Sequence, residues 1–165
     1  MGSEIIFTQR LTLQNLVPDH HPFILRLLNS DGWIKFIGQR NIHNAEAALA
    51  YIQKITNNPA TDYRVVSITT TGTPIGLVTW IQRDYLDHPD IGFAFLPDHE
   101  GKGYATEASA ALLREKVGDS TVFHAVVLPS NGASISVAKK LGLRYDREIQ
   151  PTEEILHLYS GNSPS

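Results

Sequence analysis

The sequence has no cysteine. That excludes disulfides, thiolate metal sites and a cysteine nucleophile, and it fits a reducing, cytoplasmic setting. No run approaches about 18 consecutive apolar residues, so a membrane-spanning helix is not expected. The opening Met1-Gly2-Ser3-Glu4 lacks a basic stretch followed by an apolar one, so no secretory signal is expected. Neither sign of charge dominates. There are 14 Lys and Arg against 17 Asp and Glu, a formal net charge of −3, and no broad basic field points to nucleic acid. The lysines of the later half, Lys102, Lys116, Lys139 and Lys140, read as solvated surface groups.

What is present is an ordinary globular balance. The chain has 165 residues, 42% apolar and 19% charged, enough for one domain with its own core. No repeat or linker divides it. The expectation is a single domain over residues 1–160 and a flexible tail at 161–165, because Ser160-Gly161-Asn162-Ser163-Pro164-Ser165 is short and polar.

Apolar spacing predicts a strand over Ile5 to Leu16, with Leu11, Leu13 and Leu16 on one side. A helix follows Pro18-Asp19 and stops at Asn29-Ser30-Asp31-Gly32. Asn44 is placed to cap a helix over Ala45 to Ile55. Tyr63 to Thr70 and Ile75 to Arg83 are β-rich and flank a turn at Thr71-Gly72-Thr73-Pro74, so they predict a hairpin. Strands at Asp90 to Leu96 and Thr121 to Leu128 enclose a helix over Tyr104 to Val117. A helix over Ala133 to Leu141 ends at Gly142, and Arg144 to Ile149 and Glu154 to Tyr159 close the chain as strands. This order predicts a mixed α/β (α+β) domain with an antiparallel front half and a β-α-β crossover.

The crossover is the most informative stretch. Phe93-Ala94-Phe95-Leu96-Pro97 stops an apolar run, Asp98-His99-Glu100-Gly101-Lys102-Gly103 forms a short loop, and Tyr104-Ala105-Thr106-Glu107-Ala108 opens a helix. Few side chains crowd such a loop, so free N–H groups at the helix start can face an anion, and a phosphate-bearing ligand follows.

The order and spacing of several segments resemble the GCN5-related N-acetyltransferase (GNAT) family, in particular its ribosomal-protein N-terminal acetyltransferase-like (RimJ/RimL-like) branch. The segments are Arg10-Leu11-Thr12-Leu13, Asn29-Ser30-Asp31-Gly32-Trp33 with Phe36-Ile37-Gly38, Asp90-Ile91-Gly92-Phe93, Gly101-Lys102-Gly103-Tyr104-Ala105-Thr106-Glu107-Ala108, and Asn131-Gly132-Ala133-Ser134 through Lys140-Leu141-Gly142-Leu143. The resemblance implies a central, mostly antiparallel twisted sheet with helices on both faces. Its fourth and fifth strands, here Asp90 to Leu96 and Thr121 to Leu128, would splay apart around acetyl-CoA as co-substrate.

On this resemblance the backbone of Phe95 and Leu96 pairs with the pantetheine arm. Amides of Glu100, Gly101, Lys102, Gly103, Tyr104 and Ala105, with the Thr106 hydroxyl, hold the pyrophosphate. The family's loop opens on Gln or Arg where this chain has Glu100, so only the Glu100 backbone is expected to face the ligand. Asn131 caps its helix and contacts the coenzyme. Relatives carry a tyrosine acid where this chain has Ala138, and Ser134 is the replacement expected to bond the departing sulfur, against a plain helix-start serine. Asp90 is the candidate base, against a plain strand-opening residue, with Glu153 and Glu154 behind it. His124 reads as a buried, hydrogen-bonded histidine rather than a base. Trp33, Trp80 and Tyr85 are candidates to line an acceptor pocket, with core or rim packing as the equal alternative for Trp80, which sits mid-strand.

The implied activity is transfer of an acetyl group to a primary amine, a protein N-terminus or a small molecule, by direct transfer in a ternary complex. No metal, nucleic acid or membrane partner is expected, and the protein would act as a monomer or homodimer. The rival is a catalytically silent acyl-CoA-binding module. A nucleotide-binding fold ranks last, because Gly-x-x-x-x-Gly-Lys-Ser/Thr is missing.

Overall fold

The computed structural model describes residues 5–117 and 121–162. Its strands are β1 (Ile6–Phe7), β2 (Leu11–Asn15), β3 (Thr61–Ile68), β4 (Thr73–Ile81), β5 (Asp90–Phe95), β6 (Val122–Val127), β7 (Arg144–Ile149) and β8 (Leu156–Asn162). The helices are α1 (His21–Leu28), α2 (Asp31–Phe36), α3 (Ala45–Thr56), α4 (Tyr104–Lys116) and α5 (Gly132–Lys140). The strands form one sheet in the order β1-β2-β3-β4-β5-β6-β8-β7. Every neighbouring pair is antiparallel except β5 and β6, which the α4 crossover makes parallel.

Strand alternation gives the sheet two apolar faces. Val65 and Leu77 join Phe23, Ile24, Leu27, Ile52 and Leu96 under α1 to α3. Their chain neighbours Val66 and Val78 join Leu11, Leu13, Ala108, Leu112 and Phe123 under α4. Each fully buried aliphatic side chain contributes roughly 1.5–3 kcal/mol, so both layers are needed to hold the sheet flat between them.

Several expectations are corrected. The strand expected over Ile5 to Leu16 is two strands, because Thr8 turns the chain. Its N–H donates to the Leu11 carbonyl (2.9 Å), and its hydroxyl accepts from the Leu11 N–H (3.0 Å). Leu16 lies with the α1 cluster and not with Leu11 and Leu13, as a period of two requires of an even number among odd ones. Asn29 to Gly32 ends α1 but also starts α2. Ser30 is its N-cap residue, its carbonyl accepting from the Ile34 N–H (3.1 Å), and Asp31 suits the positive end of the helix. Gly161 and Asn162, expected in a flexible tail, belong to β8. Ser160, Gly161 and Asn162 pair with His124, Phe123 and Val122, while residues 1–4 and 163–165 lie outside the described residues.

Candidate functional site

β5 is fully paired on one edge only. It runs against β4 from Asp90↔Ile81 to Phe95↔Gly76, whereas Asp90↔His124 is the single registered pair between β5 and β6. Beyond that pair the strands part, and β6 instead pairs along its length with β8. Parity shows which groups face the gap. The Pro89 carbonyl accepts from the His124 N–H on the β6 side (2.9 Å), and the Leu96 N–H donates to the Ile75 carbonyl on the β4 side (2.9 Å). Alternation then turns the main-chain groups of Phe93 and Phe95 toward the gap. Leu96 is a correction: its N–H is spent on Ile75 and its carbonyl accepts from His99 (3.0 Å). The Phe95 ring lies over Gly76, where any Cβ would come within 2.4 Å of it.

The loop that follows β5 is shaped by two left-handed glycines, Gly101 (φ 76°) and Gly103 (φ 83°). Gly103 is the N-cap residue of the 13-residue α4. Among the described residues, no amide from Gly101 to Thr106 donates to a protein acceptor. Such a row at a helix start forms a concave anion site. Glu100 corrects the expectation for it. Its amide donates to the Pro97 carbonyl (3.2 Å), and its side chain is exposed.

Arg10 holds this loop from far away in sequence. Its Nε donates to Glu107 Oε1 (2.7 Å) and its Nη1 to the Lys102 carbonyl (3.1 Å). Its guanidinium carbon stacks 4.4 Å from the centre of the Tyr104 ring. The Arg10 N–H and the Thr8 hydroxyl both donate to Glu107 Oε2. Burial alone would raise the Glu107 carboxyl, but these hydrogen bonds and the Arg10 charge outweigh it and hold the group below its usual range. Sequence reasoning assigned Arg10 to a strand pattern only, since nothing local shows a partner more than ninety positions on.

At the other side of the gap, α5 starts with a closed pair. Asn131 Oδ1 accepts from the Ser134 N–H (3.2 Å), and Asn131 Nδ2 donates to Ser134 Oγ (2.9 Å). The serine oxygen is thus engaged as an acceptor, which leaves its O–H free to donate. Ala138 is fully buried in the α4-side core and offers no hydroxyl.

The vertex, where β5 and β6 meet, carries the titratable groups. Asp90 is 2% exposed and accepts from Arg83 through both oxygens, Nε to Oδ1 at 3.0 Å and Nη2 to Oδ2 at 3.4 Å. Burial pushes its carboxyl above the usual range, opposed by Arg83. His124 shares its sheet face, with Nδ1 2.7 Å from Ser160 Oγ and the His88 ring 5.5 Å away. Burial, then His88 and Arg147, lower the His124 pKa against the opposing Asp146 and Asp87. Tyr63, on the same side of β3, is pushed up to about 12 by burial and by Tyr51, with Arg83 and Arg40 opposing.

Of the expected aromatics, Trp33 is buried in the α1–α3 cluster with the Arg40 guanidinium 6.0 Å above its ring. Tyr85 is 41% exposed in the β4–β5 connection, where burial raises its phenol and Arg83 lowers it. Trp80 is a correction. It lies on the opposite face, packed against Phe123 in the α4 core (6.2 Å between centroids), because its even position in β4 follows the inward Val78. Glu153 and Glu154 are exposed in the β7–β8 connection. A groove of about 450 Å³ at the α3–β3 junction includes Asn15, Ile55, Asp62, Trp80 and Lys116, and no residue of β5, β6 or α5 lines it. Among the described residues no cluster of three metal-ligating side chains occurs, and no helix is long and apolar enough to cross a membrane.

A family model described as "Acetyltransferase (GNAT) domain" matches residues 10–144. Solved structures share the fold. One is RimL, a ribosomal L7/L12 alpha-N-protein acetyltransferase in complex with coenzyme A, with TM-score 0.83, 16% identity and coverage of 97% of this chain and 98% of that one. A second is the Salmonella typhimurium acetyltransferase that modifies the N-terminal serine of L7/L12, with TM-score 0.81, 16% identity and coverage of 98% and 100%. A third is a GNAT-family acetyltransferase from Bacillus anthracis, with TM-score 0.79, 19% identity and coverage of 96% and 98%. Protein YkkB of Bacillus subtilis is 34% identical over 76 residues, a stretch that spans 45% of this chain and 44% of that relative's length.

Proposed function

The chain belongs to the GNAT acetyltransferase family, and from that premise we propose that it transfers the acetyl group of acetyl-CoA directly to a primary amine in a ternary complex. A protein N-terminus or a small-molecule amine would serve as acceptor, and one domain carries the reaction. The observation that carries this reading is the gap between β5 and β6 after a single pair, set beside a loop of unpartnered amides. The gap offers the pantetheine arm a strand edge at Phe93 and Phe95. The amides of Gly101, Lys102, Gly103, Tyr104 and Ala105, with the Thr106 hydroxyl, take the pyrophosphate. Ser134, held by Asn131, donates its free O–H to the departing sulfur. The amine reaches the thioester from the α1–α3 face, where Asp90, Arg83, Tyr85 and Trp33 stand.

Coenzyme A should raise the melting temperature in proportion to its occupancy. Ser134→Ala should lower kcat roughly 10- to 100-fold, the worth of a hydrogen bond to a developing charge, with coenzyme A affinity held within about twofold by the unchanged loop. An unaltered kcat removes the serine from the mechanism. The buried Ala138 in place of a tyrosine acid supports a second reading, an acyl-CoA-binding module without turnover. Tight coenzyme A binding with no acetylation of peptides, polyamines or aminoglycosides would favour it.

A further inference from the structure

We propose that His124 is the general base of this transfer, and that Ser160 and Asp146 are positioning residues that hold it for that task. The inference rests on the acetyl-transfer reading above. His124 and Asp90 form the last registered pair before the gap opens, so both side chains sit at the vertex on the acceptor face. Asp90 holds the Arg83 guanidinium through both of its oxygens, so a proton taken there would cost that ion pair. His124 is only 6% exposed, and its Nε2 has no protein partner among the described residues.

The other ring nitrogen is engaged in a chain of three residues. Nδ1 lies 2.7 Å from Ser160 Oγ, and Ser160 Oγ lies 3.5 Å from Asp146 Oδ2, the longest link. Arg147 Nη1 donates to the same Asp146 Oδ2, which marks that oxygen as an acceptor, so the Ser160 O–H points to it and the Ser160 lone pair accepts from Nδ1–H. That fixes the tautomer with a bare Nε2. Asp146 reaches Ser160 because it is the extra residue of a β-bulge. Tyr145 pairs with Tyr159 and Arg147 with Leu158, and Asp146 has no partner across the ladder. A bulge redirects a side chain in this way. The charged and titratable groups facing the ring are His88 and Asp87 from the β4–β5 connection, Asp90 from β5, and Asp146 and Arg147 from β7. Burial, then His88 and Arg147, lower its pKa against Asp146 and Asp87, which favours the neutral imidazole that a base requires.

In the reaction the amine nitrogen attacks the thioester carbonyl carbon. The C–N bond forms, the C–S bond breaks, and the proton lost by nitrogen passes to His124 Nε2. The thiolate leaves with the Ser134 O–H bonded to it and takes its proton from water.

The test uses the full chain with acetyl-CoA and a panel of short peptides with free N-termini, polyamines and aminoglycosides, following release of the coenzyme A thiol. His124→Gln should lower kcat by about a hundredfold or more, with the acetyl-CoA KM and coenzyme A affinity within about twofold. The extra, steeper limb that His124 adds to kcat below pH 7 should vanish, leaving only the limb set by an N-terminal amine's own pKa of about 8. Ser160→Ala should lower kcat by less and displace the same limb. Imidazole nitrogen shifts of the unmodified protein should report Nδ1–H and a bare Nε2, and this readout needs no variant to fold. A folded His124→Gln that keeps kcat within about threefold and retains its limb overturns the base. So does an Nε2–H tautomer, and so does an Asp90→Asn variant that alone removes the limb. A wild-type chain that binds coenzyme A and acetylates none of the panel overturns the acetyl-transfer reading itself.

Discussion

The glycine loop before α4 and the vertex between β5 and β6 stand at opposite ends of one gap and are built from different parts of the polypeptide. The loop works through main chain. Two left-handed glycines and a helix start present a row of N–H groups, with no side chain at two of its positions. The vertex works through side chains delivered by several strands and their connections: Arg83, Asp90, His124, Asp146 and Ser160. A main-chain site tolerates any side chain that keeps the backbone path. A side-chain site depends on each group being present and paired. The two regions should therefore fail differently when changed.

The largest effect is expected at the vertex. Arg83→Leu leaves the buried Asp90 carboxylate without its cation, and because Arg83 is itself 35% exposed the cost should fall below the roughly 3–5 kcal/mol of a fully buried pair, at about 2–3 kcal/mol. The pH dependence has a definite sign. Burial already raises the folded-state pKa of Asp90 above its unfolded value, and loss of Arg83 raises it further. A carboxyl raised on folding is stabilising when protonated, so the deficit should be greatest near pH 8 and shrink as pH falls toward 5. Denaturant melts across that range check it. A deficit independent of pH would mean that Arg83 acts by packing alone.

Gly103→Val should hurt the loop and spare the vertex. A β-branched residue at φ 83° is strained by roughly 1–2 kcal/mol, although its Cβ would meet Arg10 Nη2 only at ordinary contact distance, 3.4 Å. Coenzyme A affinity should fall roughly 10- to 100-fold, while kcat at saturating acetyl-CoA stays within about threefold. Calorimetry and steady-state kinetics separate the two. A matching fall in kcat would show that the loop also sets the reacting geometry, and would erase the contrast between the regions.

The same contrast explains what could be read from the sequence. The loop is local: Leu96-Pro97, the glycines and a helix start lie in one stretch, and chemistry carried by backbone leaves a short-range signature. Asn131 and Ser134 were legible for the same reason, three positions apart on a helix start. The antiparallel front half and the crossover followed from β-rich runs and the helix between them, whereas the place of β8 between β6 and β7 did not. The vertex is dispersed, and its decisive feature is the bulge at Asp146, a one-residue shift of register that no residue pattern announces. Glu100 and Leu96 have their main-chain groups engaged within the protein, because the single turn at Pro97–His99 takes the Glu100 amide and the Leu96 carbonyl, while β4 takes the Leu96 N–H. Trp80 was left between pocket and core because a strand buried on both faces gives no clue to which face an aromatic takes, and it packs on the α4 side.

The smallest effect is expected at Arg10, the one place where the loop depends on a side chain from elsewhere. Arg10→Lys keeps the charge and loses the planar group that stacks on Tyr104 while bonding Glu107 and the Lys102 carbonyl together. The arginine is 42% exposed, so solvent screens the pair with Glu107 and its worth is modest. Coenzyme A affinity should drop about threefold, the equivalent of less than 1 kcal/mol. Hydrogen exchange at the amides of residues 101 to 106 should quicken in the free protein, because a point charge cannot fix the Lys102 carbonyl and the first turn of α4 together. If exchange and affinity both stay at the wild-type level, the glycines alone shape the loop, and Arg10 serves only to fasten β2 to α4. If exchange quickens while affinity holds, the bound coenzyme itself orders the loop, and the main-chain site is assembled by its ligand in a way the vertex, with its charges already paired, is not.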